Sequence, residues 1–324
     1  MSVTRQPIDR RRFLFGVGAV GMMAVIDIDP AIAAVAGRST SRSDGRYVVS
    51  ERAGAYEVMA LLDASGPFTL ATPEQAFPNA TADDWRRAEL VDPGAFGDDG
   101  LWHLDFHCFA IRRPGGRFVL VDAGVGPEES PAAPWAPVPG RLPELLPAAG
   151  IDRADVDTVV LTHLHEDHVG WSVLPDGTPM FPDARYVVQQ REVADLEAQG
   201  DETILSYVVR PLRRTGQLHE VDGRVRLTRT GTDNRITLLP TPGHTVGHQS
   251  VLVEGGRRDI VVTGDALVHA VQLVDPGVAY AFERDKAVAR QTREELFADA
   301  ADRDALLATA HLTRAFVPAR LARR

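Results

Sequence analysis

Two early segments of the chain, residues 55–62 and 101–111, have the pattern of β-strands. In the second segment apolar residues recur at every other position from Phe106 to Ala110, as they do when one face of a strand is buried. A turn sequence at residues 113–116 (Arg-Pro-Gly-Gly) then leads to an apolar run at 118–121. Turn residues between two apolar runs predict a β-hairpin.

A continuous apolar run at residues 158–161 is typical of a strand that is buried on both faces. Helical and strand patterns then alternate to the end of the chain. The predicted helices are 190–199, 201–214, 284–299 and 302–309, and the predicted strands are 235–240, 249–253 and 259–263. Leading strands with helices interleaved after them predict an α/β fold built on a sandwiched sheet.

The first 36 residues have the pattern of a bacterial export signal. Residues 10–14 (Arg-Arg-Arg-Phe-Leu) resemble the twin-arginine motif, and the apolar stretch 13–26 is too short to cross a membrane. Residues 34–36 (Ala-Val-Ala) fit a cleavage site. We therefore expect the twin-arginine export machinery to deliver the chain to the periplasm or the medium. Residues 1–36 are expected to be removed, and residues 37–46 to be a linker.

The composition excludes several classes of protein and partner. The chain has 324 residues, and its 35 basic and 45 acidic residues give a net charge of −10, so nucleic acid is not expected as a partner. The single cysteine, Cys108, excludes an internal disulfide and a cysteine-rich metal site. Beyond the N-terminus no apolar stretch is long enough to span a bilayer, so no stable membrane insertion of the mature chain is expected.

Side chains that bind metals are concentrated directly after the predicted strand at 158–161. Within six residues the chain carries His163, His165, Asp167 and His168. Imidazole and carboxylate groups together suit zinc and other divalent metals. In extended backbone His163 and His165 point the same way, whereas Asp167 and His168 lie in the turn beyond. The sequence therefore predicts two metal ions, one on each pair.

Three further candidate ligands, His244, Asp265 and His311, lie downstream, each just after a predicted strand or helix. Loops of α/β folds bring such positions to one rim of the sheet. Five histidines and two aspartates satisfy two metal ions, provided that Asp265 bridges them. Asp122 ends the predicted strand at 118–121, where it is placed to accept a hydrogen bond from a ligand histidine.

These segments, taken in order, resemble the metallo-β-lactamase superfamily. They are Val-Asp-Ala-Gly at 121–124, His-Leu-His-Glu-Asp-His at 163–168, Pro-Gly-His at 242–244, Gly-Asp at 264–265 and Ala-His-Leu at 310–312. The resemblance covers roughly residues 100–312. It implies a four-layer αβ/βα sandwich with the metal site at one edge of the two sheets, and it makes residues 47–324 the catalytic domain.

The resemblance also implies a ligand set and a mechanism. The implied ligands are His163, His165 and His244 for the first metal, Asp167, His168 and His311 for the second, and Asp265 as the bridge. The ions are expected to be zinc, with manganese, iron or cobalt as alternatives. A hydroxide bridging the ions would attack a carbonyl or phosphoryl centre, and Asp167 or Asp265 would move the proton.

The intervals between the ligands resemble those of dinuclear lactonases and of methyl-parathion-hydrolase-type phosphotriesterases. Lactonases of that branch carry a tyrosine three residues after the bridging aspartate, where this chain has Val268, and this difference favours the phosphotriesterases. We therefore predict an exported hydrolase that acts on an ester, lactone or organophosphate of low molecular weight. The alternatives are an iron-dependent redox enzyme such as a sulfur dioxygenase, a thioesterase or β-lactamase-type hydrolase, and a binding protein without activity.

A few aromatic side chains near the ligand segments are candidates for a substrate pocket. His269, Trp171 and His107 are predicted to line it, and Trp135 is a further candidate for an apolar wall. His248 lies four residues after His244 and is expected to be a hydrogen-bonded structural histidine. The sequence leaves the oligomeric state open, with a homodimer as one outcome.

Overall fold

The computed structural model describes residues 47–230 and 234–322. The predicted export signal, residues 1–36, and the predicted linker, residues 37–46, lie outside the described residues and stay predictions. Among the helices in the described ranges, none combines the length and the apolar character needed to span a bilayer.

Seven strands form the first sheet and are neighbours in the order of their numbering, from β1 to β7. They are β1 Val48–Ala53, β2 Tyr56–Pro67, β3 His103–Arg112, β4 Phe118–Val121, β5 Val156–Val160, β6 Arg185–Gln189 and β7 Leu218–Val221. Strands β1 to β4 pair antiparallel, whereas β4 to β7 pair in parallel. Because parallel strands run in one direction, the carboxyl ends of β4 to β7 share an edge of the sheet.

Six strands form the second sheet, in the order β13-β12-β11-β10-β9-β8. They are β8 Val225–Thr230, β9 Asn234–Pro240, β10 Gln249–Glu254, β11 Ile260–Val262, β12 Leu306–Ala308 and β13 Phe316–Pro318. Strands β11 and β12 pair in parallel, and β10 is antiparallel to both β9 and β11. Strands β9, β11 and β12 therefore run in the same direction, and the segments that follow them leave the sheet at one edge.

The two sheets pack face to face across a core of aliphatic side chains. Val58, Val121 and Val160 of the first sheet belong to one buried cluster with Val251 and Val262 of the second. Burial on this inner face is favourable by about 25 cal/mol for each Å² of apolar surface removed from water. This core fixes the two sheets relative to each other.

Helices cover the outer faces of both sheets. They are α1 Pro73–Ala76, α2 Ala82–Val91, α3 Leu142–Ala148, α4 Glu166–Val169, α5 Gln190–Gln199, α6 Glu202–Ile204, a π-helical turn Leu205–Val209, α7 Arg210–Thr215, α8 Ala270–Val274 and α9 Lys286–Asp302, with 3₁₀ turns at Pro93–Ala95, Arg153–Asp155, Gly264–Ala266 and Ala319–Ala322. Leu146 of α3 and Leu212 of α7 are buried with the first sheet, and Val271 of α8 and Phe297 of α9 with the second. The predicted four-layer αβ/βα sandwich is confirmed.

The helix predicted at residues 302–309 is wrong. Helix α9 ends at Asp302, and Leu306–Ala308 form β12, which pairs in parallel with β11 and antiparallel with β13. Leucine and alanine favour a helix locally, but pairing between two strands overrides that weak preference. Asp304, with φ of 48°, leaves the helical region between the two elements. His311 therefore follows a strand and not a helix.

The two sheets meet at the edge where the candidate ligands lie. The backbone amide of Gln249, the first residue of β10, donates a hydrogen bond to the carbonyl of Thr162, just after β5, at 2.8 Å. The side-chain amide of Gln249 donates to the carbonyl of Leu161 at 2.9 Å. Buried hydrogen bonds of this kind hold the loops of both sheets at a set distance.

Candidate metal centre

The segment from His163 to His168 leaves β5 and turns into the short helix α4. His165 keeps an extended backbone, with φ of −72° and ψ of 154°, whereas Asp167 and His168 lie within the helix. The change from extended to helical backbone turns the two pairs of side chains in different directions. Their side chains belong to two groups that could hold a metal ion.

The first group consists of His163, His165, His244 and Asp265, each with one candidate ligand atom within 4.8 Å of the others. Nε2 of His244 lies 2.9 Å from Nδ1 of His165 and 3.2 Å from Oδ2 of Asp265. Nε2 of His163 lies 3.9 Å from the same carboxylate oxygen. The imidazole nitrogens therefore converge on one side of the Asp265 carboxylate.

The second group consists of Asp167, His168 and His311, again within 4.8 Å of one another. The Nε2 atoms of His168 and His311 are 3.3 Å apart, and they lie 3.3 and 3.4 Å from Oδ2 of Asp167. The same two nitrogens lie 3.2 and 3.1 Å from Oδ1 of Asp265. The Asp265 carboxylate thus lies between the groups, with one oxygen facing each.

The donor atoms fit divalent metal ions. Nε2 of His163 is buried and makes no hydrogen bond to any described residue, although buried polar atoms normally have a partner. In the first group Nε2 of His244 and Nδ1 of His165 are 2.9 Å apart, and in the second the Nε2 atoms of His168 and His311 are 3.3 Å apart. At these distances at most one nitrogen of each pair can carry a proton. Neutral imidazoles combined with carboxylates are the ligands that zinc and similar ions prefer.

Asp122, directly after β4, is hydrogen-bonded to the candidate ligand His168. Its carboxylate accepts hydrogen bonds from Nδ1 of His168 at 2.9 Å, from the backbone amide of Thr162 at 2.7 Å and from the Thr162 hydroxyl at 2.8 Å. Asp122 has φ of 60°, a left-handed conformation that is uncommon outside glycine and typical of functional sites. With Nδ1 of His168 engaged in this way, Nε2 is directed toward Asp265.

Two other histidine rings are oriented by backbone carbonyls. Nδ1 of His311 donates to the carbonyl of Asp105 on β3 at 3.1 Å. Nδ1 of His248 donates to the carbonyl of Thr241 at 3.0 Å, so that its Nε2 accepts a hydrogen bond from the backbone amide of Asp265 at 2.9 Å. A proton held on Nδ1 fixes both the tautomer and the ring orientation. His248 thus acts on Asp265 through the backbone.

Burial and mutual charge interactions oppose each other in this cluster. Burial lowers the pKa of His163 well below its ordinary value. For His168, the carboxylates of Asp167, Asp265 and Asp122 outweigh burial and raise its pKa. For Asp265, the surrounding imidazoles outweigh burial and hold its pKa well below the ordinary value. His163 is therefore held neutral, whereas the carboxylates favour a positive charge on His168. A metal ion bound beside these carboxylates would supply that positive charge in place of the proton.

An aromatic wall borders the two groups. The ring of Tyr280 is parallel to that of His244 within 10°, with centroids 6.1 Å apart. Phe106 lies edge-on to His311 at 5.4 Å, and Trp135 lies 5.9 Å from Phe106. Apolar rings beside a polar cluster are the usual composition of a small-molecule site.

The hydroxyl of Tyr280 makes no hydrogen bond to any described residue, although the side chain is largely buried. Burial raises its pKa well above the ordinary value, and the carboxylates of Asp265 and Asp167 add to the effect. The hydroxyl is therefore a neutral donor at neutral pH, close enough to these carboxylates to respond to their charge.

The three residues predicted to line a pocket lie in different places. Four aromatic rings surround His269: Phe77, Trp85, Phe96 and Trp102. Trp171 packs in the cluster between the first sheet and its helices. His107 is buried on β3, where Nδ1 donates to the carbonyl of Ala310 at 3.3 Å, next to His311. The role of these three residues in substrate binding stays a prediction.

Two buried acids that were not predicted from the sequence contact the loops that carry the candidate ligands. Glu192, near the start of α5, accepts hydrogen bonds from the amides of Leu164 at 3.2 Å and Gly247 at 2.9 Å. Asp92, after α2, accepts from the amide of Thr313 at 3.0 Å. The one local signal for Glu192 is an acid in the first turn of the helix that follows β6, whereas Asp92 has no signal in the sequence.

Two facing sheets with a histidine and aspartate cluster at their shared edge define a known class of protein. Residues 107–311 match the Metallo-beta-lactamase superfamily. That span is more than half of the chain, and the chain belongs to this superfamily.

Similar curated proteins include lactonases and metallo-hydrolases. The chain is 37% identical over 116 residues to the N-acyl homoserine lactonase AttM of Azorhizobium caulinodans, a match that covers 33% of this chain and 39% of that protein. It is 32% identical over 181 residues to a probable metallo-hydrolase of Mycobacterium tuberculosis, covering 47% of this chain and 53% of that protein. The matches thus span about half or less of the length of these relatives.

Solved structures share the fold over most of the chain. The hydrolase AbOPH of the beta lactamase superfamily has a TM-score of 0.67 at 23% identity, covering 85% of this chain and 93% of that one. AidC, a dizinc quorum-quenching lactonase in complex with a product, has a TM-score of 0.65 at 18% identity, covering 83% and 92%. Identities this low establish the fold alone.

Proposed function

We propose that this chain is a metal-dependent hydrolase that binds two divalent ions, preferably zinc, and cleaves an ester, lactone or phosphotriester of low molecular weight. The observation that carries the proposal is the position of Asp265. Its Oδ2 faces His163 and His244, and its Oδ1 faces His168 and His311. A carboxylate shared by two nitrogen-rich groups suits a pair of ions. The name of AidC, a dizinc lactonase of the same fold, supports two ions.

Ions of this kind, when bound, polarise a carbonyl or phosphoryl oxygen and make water acidic enough to ionise near neutral pH. The chain itself supplies the acceptor for the proton. The imidazoles of His168 and His311 outweigh burial and lower the pKa of Asp167, so this carboxylate is ionised at neutral pH. In this proposal Asp167, which belongs to the second group, accepts a proton from water at the site and passes it to the leaving group.

Tyr280 supplies a hydrogen-bond donor to the substrate in this proposal. Its ring is stacked on that of His244, and its hydroxyl has no partner among the described residues. Position 268, where related lactonases have a tyrosine, is occupied by Val268, which is buried in the apolar cluster of the second sheet. In this proposal the hydroxyl comes from Tyr280, in the loop after α8, and not from position 268.

The wall beside the site favours a substrate that is uncharged and partly apolar. Phe106 and Trp135 line the side next to His311, and Phe282, which is 45% exposed, lies 5.2 Å from Tyr280. Aromatic surface of this kind gains energy by excluding water from acyl or aryl groups. The names of the related N-acyl homoserine lactonases agree with an acyl substrate.

A substrate panel on metal-loaded protein tests the proposal. Metal-free protein would be reloaded with zinc, manganese, cobalt or iron and assayed against N-acyl homoserine lactones, p-nitrophenyl esters, thioesters and phosphotriesters. We expect hydrolysis by the loaded protein, none by the metal-free protein, and loss of turnover in Asp265→Asn. Metal-replete protein that hydrolyses none of these substrates would overturn the proposal, as would oxygen consumption by the iron form in place of hydrolysis.

We also propose that residues 1–36 direct export by the twin-arginine route and that residues 47–324 are the catalytic domain in the periplasm or the medium. The support is the motif at residues 10–14. A reporter fused after residue 46 should leave the cytoplasm, and changing Arg10 and Arg11 to lysine should retain it there. Export that persists in the double variant would contradict this assignment.

A further inference from the structure

Glu192 is a buried acid on the outer side of the first group of candidate ligands. It is the third residue of α5, the helix that follows β6, and it is 4% exposed. Burying a carboxylate is costly unless hydrogen-bond donors surround it. The structure gives Glu192 three such donors, and all three belong to the loops that carry the histidines of the first group.

The carboxylate of Glu192 contacts both of these loops. It accepts a hydrogen bond from the backbone amide of Leu164, between His163 and His165, at 3.2 Å. It also accepts from the hydroxyl of Thr245 at 2.7 Å and from the backbone amide of Gly247 at 2.9 Å, in the loop that follows His244. One side chain therefore joins two loops that belong to different sheets.

Gly247 packs closely against the first turn of α5. A Cβ atom at position 247 would lie 2.4 Å from the backbone nitrogen of Glu192, closer than real Cβ contacts allow. Glycine therefore lets the loop after β9 reach the first turn of α5. The loop packs directly against Glu192. Any movement of the loop away from α5 would break the hydrogen bonds that Thr245 and Gly247 donate to the carboxylate.

We propose that Glu192 is a positioning residue that sets the spacing of the three histidines of the first group, His163, His165 and His244. It touches none of the candidate ligand atoms and acts through the backbone on either side of them. The proposal rests on metal binding at this group, as proposed above, and adds a residue that sets the affinity of one ion.

The second group is held by different contacts. His168 is bonded to Asp122, and His311 is bonded to the carbonyl of Asp105. Neither contact involves Glu192. Loss of the Glu192 carboxylate is therefore expected to weaken the first ion selectively and to leave the second in place.

The test measures zinc affinity directly, by competition with a chromophoric chelator, on wild type, Glu192→Ala and Glu192→Gln. Wild type should bind two ions. In Glu192→Ala the affinity for one ion should fall between about 10- and 100-fold, the range seen when the support of a ligand is removed. The other affinity should stay at the wild-type value. Glu192→Gln keeps one acceptor oxygen and should lose less.

A second readout identifies the ion that is weakened. In zinc-loaded Glu192→Ala the imidazole nitrogen NMR signals of His163, His165 and His244 should shift or broaden, while those of His168 and His311 stay unchanged. Glu197→Gln is the matched control on the same helix, where the side chain of Glu197 is 49% exposed and pairs with Arg213. This control should bind both ions as wild type does.

Several outcomes separate this proposal from the proposed function. Wild type that binds no divalent ion overturns both. Wild type that binds two ions, with Glu192→Ala binding them equally well, overturns the role of Glu192 alone, and so does an equal loss of both ions. If Glu192→Ala does not fold, Thr245→Val removes one of the three donors and should weaken the same ion to a smaller extent; unchanged affinity would contradict the proposal.

Discussion

The backbone amide of Asp265 donates a hydrogen bond to Nε2 of His248, at 2.9 Å. His248 is itself fixed, because its Nδ1 donates to the carbonyl of Thr241 at the end of β9. One imidazole therefore connects the loop after β9 with the turn after β11. The carboxylate that lies between the two groups of candidate ligands thus depends on a histidine that belongs to neither group.

Replacing His248 by alanine removes the acceptor for the Asp265 amide. We expect metal affinity to fall about 10-fold or more, since contacts that orient ligands are worth about 10- to 100-fold. The unpaired amide should also reduce the free energy of unfolding by about 1–3 kcal/mol. Metal content after dialysis and chemical denaturation measure the two effects. His219→Ala, at an exposed position, is the control, and wild-type metal retention in His248→Ala would contradict the role.

Asp265→Asn tests the shared carboxylate itself. Asparagine keeps the shape of the side chain but removes the charge and one of the two oxygen acceptors. We expect loss of most of the metal and a fall in turnover of about 10²-fold or more. Elemental analysis and turnover should be measured on the same sample. Full occupancy together with full rate would contradict the role of Asp265 between the two ions.

The matched control for Asp265→Asn is Asp304→Asn. The side chain of Asp304 is 81% exposed, and its φ of 48° is one that asparagine also tolerates. The same chemical change at this position should leave metal content and rate unchanged.

The variant Tyr280→Phe removes the hydroxyl of Tyr280 and keeps its aromatic ring, so that the two contributions can be measured separately. The stacking on His244 should persist, so metal content should not change. Loss of a hydrogen bond to the substrate should lower kcat/KM about 5- to 10-fold, which corresponds to about 1 kcal/mol. Tyr47→Phe, at a tyrosine that is 43% exposed, should behave as wild type. A Tyr280→Phe variant with wild-type kcat/KM would show that the hydroxyl does not contact the reacting substrate.

The sequence was sufficient for the α/β fold class and for the residues that the structure brings together as candidate ligands. Apolar runs such as residues 158–161 and the histidine pattern after them are local signals that need no knowledge of distant residues. At residues 302–309 the local signal is misleading. Local composition there favours a helix, and only the pairing of Leu306–Ala308 with β11 and β13 makes it a strand.

The contacts of the buried acids Glu192 and Asp92 could not be predicted for a related reason. Glu192 is 28 positions from Leu164 and 55 from Gly247 in the sequence. These contacts exist only after both sheets have packed together, and an acid near the start of a helix is common without such a role. Short strands such as β13, with three residues, are likewise too short to give a periodic pattern.

His269 offers a test of stability against pH. It is 2% exposed and enclosed by aromatic rings, and its Nδ1 accepts a hydrogen bond from the amide of Val271 at the start of α8. Burial lowers the pKa of His269 from 6.5 to about 3. In the folded protein the ring therefore stays neutral at pH values at which it is protonated in the unfolded chain. Between these two values the unfolded state binds more protons, so stability falls as the pH falls.

For metal-free protein, the free energy of unfolding is expected to drop by about 2 kcal/mol between pH 7.5 and pH 5 through His269 alone, since one pKa unit corresponds to about 1.4 kcal/mol. His269→Asn retains an acceptor for the Val271 amide but has no titrating group. The variant is less stable at pH 7.5 because aromatic packing is lost, yet its stability should decline less steeply toward pH 5. Urea unfolding of both proteins at the two pH values measures the difference, in which the titration of the other histidines cancels. An equal decline in the stability of the two proteins would mean that the ring of His269 is protonated in the folded state at pH 5. That result would contradict the prediction that the enclosed ring stays neutral.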